Sequence, residues 1–151
     1  AVKTLLQRVA RAEVRVDGQV VGRIGKGVLL LVGVEQGDDD RDAAVTARKV
    51  AALRIFPGRT PMDRTLHDVG GACLVVSQFT LAGSLKKGNR PGFDKAEDPA
   101  RAEALYLEVA KALEGYGLEV ATGRFASAME VELVNDGPVT FLLHVHDGRI
   151  Q

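Results

Sequence analysis

Two short stretches set polar side chains inside otherwise apolar sequence. The first, Ser77-Gln78-Phe79-Thr80-Leu81-Ala82, follows the apolar run Ala72 to Val76 and closes it with two hydroxyls and an amide. Residues 71–83 read as one long strand, in which alternation sets Ser77, Phe79 and Leu81 on one face and Gln78 and Thr80 on the other. Such a strand end either enters solvent or turns its backbone N–H groups and hydroxyls toward a reacting carbonyl. The second stretch, Asn135-Asp136-Gly137-Pro138, separates Leu133-Val134 from Val139 to Leu143, and turn residues between apolar runs mark a loop joining strands. Asn-Asp-Gly alone would make a hairpin, and proline cannot donate to a sheet ladder. The Gly-Pro pair therefore asks for a reason of its own.

Other chemistries lack their residues. There is no phosphate-binding Walker loop, no dinucleotide glycine fingerprint, no HExxH and no GxSxG elbow. His144 and His146, two apart in a terminal β run, could share a face, but no third ligand stands near them, so no metal and no cofactor are expected. His67 is isolated. Cys73 lies inside an apolar run and reads as a buried, inert thiol. Lys86 to Phe93, "KKGNRPGF", is a basic loop, either simply solvated or placed to meet phosphates.

The elements that must position these residues follow from periodicity. Val2 to Val9, Ala12 to Val16, Gln19 to Ile24 and Gly27 to Val34 are short Val/Leu-rich runs. Asp17-Gly18 signals a hairpin, and strands so closely spaced must be antiparallel. A helix starts at Asp38 to Asp40, buries Ala43, Ala47, Val50 and Ala51, and stops at Pro57-Gly58. "RTPMDRTLHDVGG" is irregular. A second helix over Pro99 to Tyr116 buries Leu105, Val109 and Leu113, and three β runs follow at 118–122, 127–134 and 139–145. The expected fold is one α+β domain over residues 1–151, mostly antiparallel and barrel-like, with two helices.

Composition limits the partners. The chain has 151 residues, 46% hydrophobic and 26% charged, with 20 basic and 20 acidic side chains. A protein that coats duplex DNA would be basic, so DNA is not an expected partner, and any RNA contact should be local. No apolar stretch approaches the ~20 residues that span a membrane, so no membrane partner and a cytoplasmic, soluble protein are expected.

Taken together, these stretches resemble the D-aminoacyl-tRNA deacylase family of the bacterial and eukaryotic type. The resemblance runs from "LLQRVARAEVRVDGQVVGRIGKGVLLLVGV" through "ALRIF", "DVGG", "LVVSQFTLAG", "KKGNRPGF" and "TGRF" to "VELVNDGPVT". Its two signatures are the Ser77 to Ala82 and Asn135 to Thr140 stretches, in the family's order. The resemblance implies hydrolysis of the ester between a D-amino acid and the terminal ribose of tRNA, and of glycyl-tRNA mischarged on tRNA(Ala). It implies a homodimer in which a cis Gly137-Pro138 peptide of one protomer enters the partner's site and leaves no room for an L side chain. It places Ser77, Gln78, Phe79, Thr80, Gly137 and Pro138 at the reaction. Leu81, Ala82, Met129, Asn135, Lys87 and Arg90 fall at the substrate, with Met129 against adenine and Lys86 beside the two phosphate-contacting cations. Backbone N–H groups of Phe79 and Thr80 would stabilise charge while the neighbouring 2′-hydroxyl assists water, leaving Thr80 as a positioning hydroxyl rather than a nucleophile.

Two departures stand out. Phe125 is followed by Ala126-Ser127-Ala128 where the family usually has Gly-Ala, and Met62-Asp63 replaces the usual Met-Asn. An editing relative that spares D residues and corrects L-alanine mischarging differs in both signatures. A non-catalytic tRNA-end binding module would not need both signatures complete.

Overall fold

In the computed structural model, which describes residues 1–151, the first strand β1 (Val2–Val16) organises the rest. Its buried residues run Val2, Thr4, Leu6, Arg8, then Val9, then Ala12, Val14 and Val16. The phase changes at two irregularities in its pairing, between Gln7 and Val9 and between Val9 and Arg11. Extra residues in one strand of a pair turn the following side chains over. Val2 and Leu6 thus join one hydrophobic cluster, whereas Val9, Ala12 and Val14 join a second on the opposite face.

One edge of β1 is shared. Its first half pairs antiparallel with β3 (Gly27–Gly33), and its second half with β2 (Gln19–Ile24). The β1–β2 link is the two-residue turn Asp17-Gly18, with φ of 51° and 77°, the left-handed pair that suits the twist of a tight hairpin. Along its whole other edge β1 pairs with β6 (Glu130–His146), which continues to the short β7 (Arg149–Ile150).

Beyond β3 the sheet is parallel. β4 (Ala72–Ser77) pairs with β3, and β5 (Glu119–Thr122) with β4, giving the order β5-β4-β3-β1-β6-β7 with β2 also on β1. Parallel neighbours need long crossovers. These are α1 (Asp40–Ala52) with α2 (Leu66–Val69), and α3 (Pro99–Gly115). β3 and β4 are covered on both faces: Val28, Leu30, Cys73 and Val75 pack with the helices, and Leu29, Leu74 and Val76 with the other cluster. The β5 end of the order meets β2, the branch on β1. Gly22 of β2 lies so close to the Thr122 carbonyl of β5 that a Cβ there would collide with it, so the sheet curls into a half-barrel.

The α+β class and the antiparallel first half match the sequence reading, but five details differ. The runs Val2 to Val9 and Ala12 to Val16 are one strand, β1. There is a third helix, α2, because Thr65 and Asp68 form a capping box over a turn too short to show periodicity. α1 ends at Ala52, not at Pro57, since Leu53 already turns extended with ψ 131°. The run over residues 71–83 is not one strand. Finally, the β runs at 127–134 and 139–145 belong to a single strand, β6, that begins at Glu130 and passes through Gly137-Pro138. No helix is long and apolar enough to cross a membrane.

Candidate active site

β4 stops at Ser77 because the next residues coil. Gln78 has φ −142° and ψ 82°, and Phe79–Ala82 form one 3₁₀ turn, with the Leu81 N–H donating to the Gln78 carbonyl at 3.2 Å and the Gly83 N–H to Thr80 at 3.0 Å. The alternation expected for Ser77 to Leu81 is therefore absent. The Gln78 N–H still donates to the Val32 carbonyl at 2.8 Å, which pins the turn to the sheet edge. The N–H groups of Phe79 and Thr80 stand at its open end and have no backbone acceptor. The Gln78 amide donates to the Thr80 hydroxyl at 2.6 Å. Gly33 admits the turn: a Cβ there would lie 2.8 Å from Leu81 Cβ and 2.9 Å from the Gln78 carbonyl.

The turn borders a cleft of about 960 Å³. Ser77, Gln78 and Phe79 form one wall, Phe93 and the start of α3 another, and Phe125 to Met129 a third. Phe79 is 57% exposed and meets Phe93 with ring centroids 5.2 Å apart. Phe125 is backed by Tyr106 of α3 at 5.8 Å in a stacked arrangement. Burial, with Glu103 nearby, pushes the Tyr106 phenol up, so it remains a neutral platform. Ala126 holds a left-handed φ of 57°, which bends the 125–129 segment along the cleft. Met129 lines the cleft while packing on the second hydrophobic cluster. The largely apolar wall with a few polar atoms suits a flat base or ring together with a polar head.

Lys87 and Arg90 sit in an exposed loop closed at its base by Ser84 and Gly92, which exchange N–H to carbonyl bonds of 2.7 and 2.9 Å. Phe93 follows directly and faces the cleft, so the loop stands at its rim. Leu81 is half-buried and Ala82 buried beneath the turn, outside the cleft wall.

The other signature lies elsewhere. Gln7 pairs with Thr140 and Val9 with Asn135, so residues 136–139 bulge out opposite Arg8 alone. The Gly137-Pro138 peptide at its tip is cis, and both residues are exposed. Asn135 ties the base, its Nδ2 donating to the carbonyls of Arg8 at 2.9 Å and Val139 at 3.2 Å. That amide nitrogen is thus engaged inside the bulge. Arg8, 7% exposed, donates from Nε to the Asp136 carbonyl at 2.9 Å and from Nη1 to the Ile55 carbonyl at 2.6 Å. The ring of Phe56 lies 6.0 Å from the guanidinium carbon.

The structure therefore brings Ser77, Gln78, Phe79 and Met129 to one cleft, with Thr80 beside it and Lys87 and Arg90 at its rim. Gly137, Pro138 and Asn135 do not line that cleft. Sequence reasoning missed Arg8, whose signal was available: a charged residue at an inward position of an alternating strand. It also missed Phe93, which carries no signal beyond its basic neighbours. His144 is half-buried, and His146 is exposed with Nε2 3.4 Å from Asp147. No three His, Cys, Asp or Glu side chains gather as metal ligands.

The family model described as D-Tyr-tRNA(Tyr) deacylase matches residues 5–144. A D-aminoacyl-tRNA deacylase of Syntrophotalea carbinolica is 53% identical over 145 residues, covering 95% of this chain and 97% of that protein. One from Anaeromyxobacter dehalogenans is 55% identical over 142 residues, covering 93% and 95%. Among solved structures, the c-Myc DNA Unwinding Element Binding Protein matches with a TM-score of 0.88 at 34% identity, over 95% of this chain and 99% of its own. A probable eukaryotic D-amino acid tRNA deacylase shares the fold, with a TM-score of 0.80 at 17% identity over 93% of this chain and 97% of its own. With a family match over residues 5–144 and full-length relatives at half identity, this chain belongs to the D-aminoacyl-tRNA deacylases.

Proposed function

We propose that this chain is a cytoplasmic homodimer that hydrolyses the ester joining a D-amino acid, or glycine mischarged on tRNA(Ala), to the 3′-terminal ribose of tRNA. The observation that carries it is the pairing of two features that do not meet within one protomer. An open cleft is bordered by free backbone donors, and an exposed cis Gly137-Pro138 bulge is held rigidly away from it. A twofold dimer supplies each cleft with the partner's bulge. In support, β6 has no neighbour on its outer edge until β7, and Val134, Phe141 and Leu142 beside the bulge are exposed.

Water attacks the ester carbonyl and gives an oxyanion, which the Phe79 and Thr80 N–H groups stabilise. The carbon–oxygen bond to the ribose then breaks, the ribose oxygen takes a proton, and free amino acid and tRNA leave. The ribose 2′-hydroxyl assists the water, and Gln78 and Thr80 hold the carbonyl region. The partner's Gly137 and Pro138 carbonyls accept from the α-ammonium and occupy the space of an L side chain. Selection works by exclusion, so glycine is admitted. Adenine rests between Met129 and Phe125, and Lys86, Lys87 and Arg90 meet the adjoining phosphates.

The test is ester loss from labelled D-tyrosyl-tRNA and L-tyrosyl-tRNA side by side, with the mass in solution measured on the same sample. Rapid loss of the D ester alone from a dimer is expected. Loss of both esters removes the chiral filter, and loss of neither leaves a module that only binds tRNA ends.

A further inference from the structure

The cations of this electrically neutral chain are unevenly matched. Arg15 and Arg23 pair with Glu13, Arg41 with Asp39 and Arg101 with Glu97. Between the last turns of α1 and Arg64 the sequence instead holds Arg48, Lys49, Arg54, Arg59 and Arg64 against the single acid Asp63. That acid is already committed. Its carboxylate accepts from the Arg59 N–H at 2.7 Å and from Arg54 Nη2 at 2.6 Å. The Arg59 N–H foremost, and then Arg54, hold the Asp63 carboxyl below the usual carboxylate range, so it stays an anionic staple of the loop. Gly58 makes room for it, since a Cβ there would run into the Asp63 carboxylate.

What remains is unpaired. Arg48, Lys49, Arg59 and Arg64 are exposed and make no ion pair, and Lys26 joins them, its ammonium 5.9 Å from the Phe56 ring. A merely solvated face intersperses both signs, whereas a stretch of six cations that meets only Asp63 and, at its Arg64 end, Asp68 suits a polyanion. The position of this stretch matters as much as its charge. Through Arg8 the Ile55 carbonyl and the Asp136 carbonyl are held by one guanidinium, so the loop abuts the base of the Gly137-Pro138 bulge.

We propose that this surface binds the phosphodiester backbone of the tRNA acceptor arm whose 3′ end lies in the partner's cleft. The inference rests on the dimeric deacylase reading: a bulge that enters the partner's cleft brings Arg48, Arg59 and Arg64 of its own protomer alongside it. The tRNA then lies between the partner's Lys86 to Arg90 loop and this second basic surface. Phosphates are contacted without reference to sequence, as an enzyme acting on many tRNAs requires.

The experiment uses the dimer and a 5′-labelled acceptor-stem minihelix ending in CCA, with binding followed across a salt series. The variant is Arg48→Gln/Arg59→Gln/Arg64→Gln, whose altered side chains make no hydrogen bond within the fold. Its Kd should rise roughly tenfold or more at low salt, and the slope of log Kd against log salt should fall by about 2 to 3. Hydrolysis of a D-tyrosyl ester on adenosine alone should be unchanged. An unchanged Kd and slope overturn the inference while leaving the deacylase reading intact. Weakened minihelix binding in a protein whose wild type hydrolyses no D ester keeps the surface and overturns the deacylase reading. Slower adenosine-ester hydrolysis in the variant also overturns it, because the effect would then lie in the cleft.

Discussion

The Arg8 Nε lies 2.9 Å from the Asp136 carbonyl and 3.2 Å from its carboxylate, across 128 residues of sequence. The same guanidinium bonds the Ile55 carbonyl, so one buried cation fixes the cis Gly137-Pro138 bulge against both β1 and the segment after α1.

Arg8→Ala should therefore lose more than stability. Two charge-assisted bonds vanish and the Ile55 carbonyl loses this donor, a cost of about 3 kcal/mol and roughly 6–12 °C in Tm. At 25 °C, where the variant remains folded, D-ester hydrolysis should still fall at least tenfold because the bulge is no longer aimed. Normal turnover in the folded variant would show that Arg8 only stabilises.

Gly137→Ala tests the bulge tip. A Cβ there would stand 2.5 Å from Asn135 Oδ1, and Asn135 is held through its amide nitrogen by two carbonyls. Activity should drop by about two orders of magnitude or more. The displaced asparagine adds an overpacking cost of about 1–3 kcal/mol, readable by urea denaturation. Full turnover would sink the exclusion model.

Thr80→Val separates two roles for one hydroxyl. Thr80 accepts from Gln78 at 2.6 Å. Removing one such bond costs about 1 kcal/mol, so single-turnover hydrolysis should slow about fivefold. Complete loss would instead mark Thr80 as the nucleophile.

Ala126→Gly should stabilise the protein. Ala126 has φ 57°, where an L side chain costs about 1–2 kcal/mol, of which glycine's greater freedom when unfolded returns part. A gain of about 0.5–1 kcal/mol in denaturant unfolding is expected.

Cys73 supplies a pH prediction. Burial pushes its thiol from an ordinary 9.0 to about 12. A raised pKa favours the protonated form when folded, so its contribution is intact below pH ~9 and is lost as pH climbs from there toward 12. Thiol reagents should react with the native protein at pH 8 far more slowly than with the urea-unfolded chain. Equal rates would contradict the burial.

Much of this architecture was legible in local pattern. The Asp17-Gly18 hairpin and the α3 stripe of Leu105, Val109 and Leu113 depend on neighbours in sequence, and they appear where periodicity puts them. The continuation of β6 through proline does not. Gly137-Pro138 reads as a loop because a ladder position without an N–H is normally excluded. Here the four residues step out of the ladder, and Asn135 and Arg8 meet the backbone needs from side chains. The 3₁₀ turn after Ser77 was hidden for a similar reason: its apolar residues suit a strand, and only contact with Gly33 and Val32 decides otherwise. Site residues joined by side chain to distant backbone leave little trace in spacing.

The bulge also constrains how such a gene can change. The exposed loop between Ser84 and Gly92 is tied only at its base, so its tip can lengthen or shorten while the two tying residues stay put. Residues 136–139 have no such freedom. One residue more or fewer would break the span that Asn135 closes between the Arg8 and Val139 carbonyls and displace the Gly137-Pro138 tip, even with the Val9–Asn135 and Gln7–Thr140 pairs kept. Single-codon insertions and deletions should thus be tolerated at residues 86–90 and eliminated between Asn135 and Thr140. In this lineage, the placement of the Gly137-Pro138 bulge is inherited as a length as much as a motif.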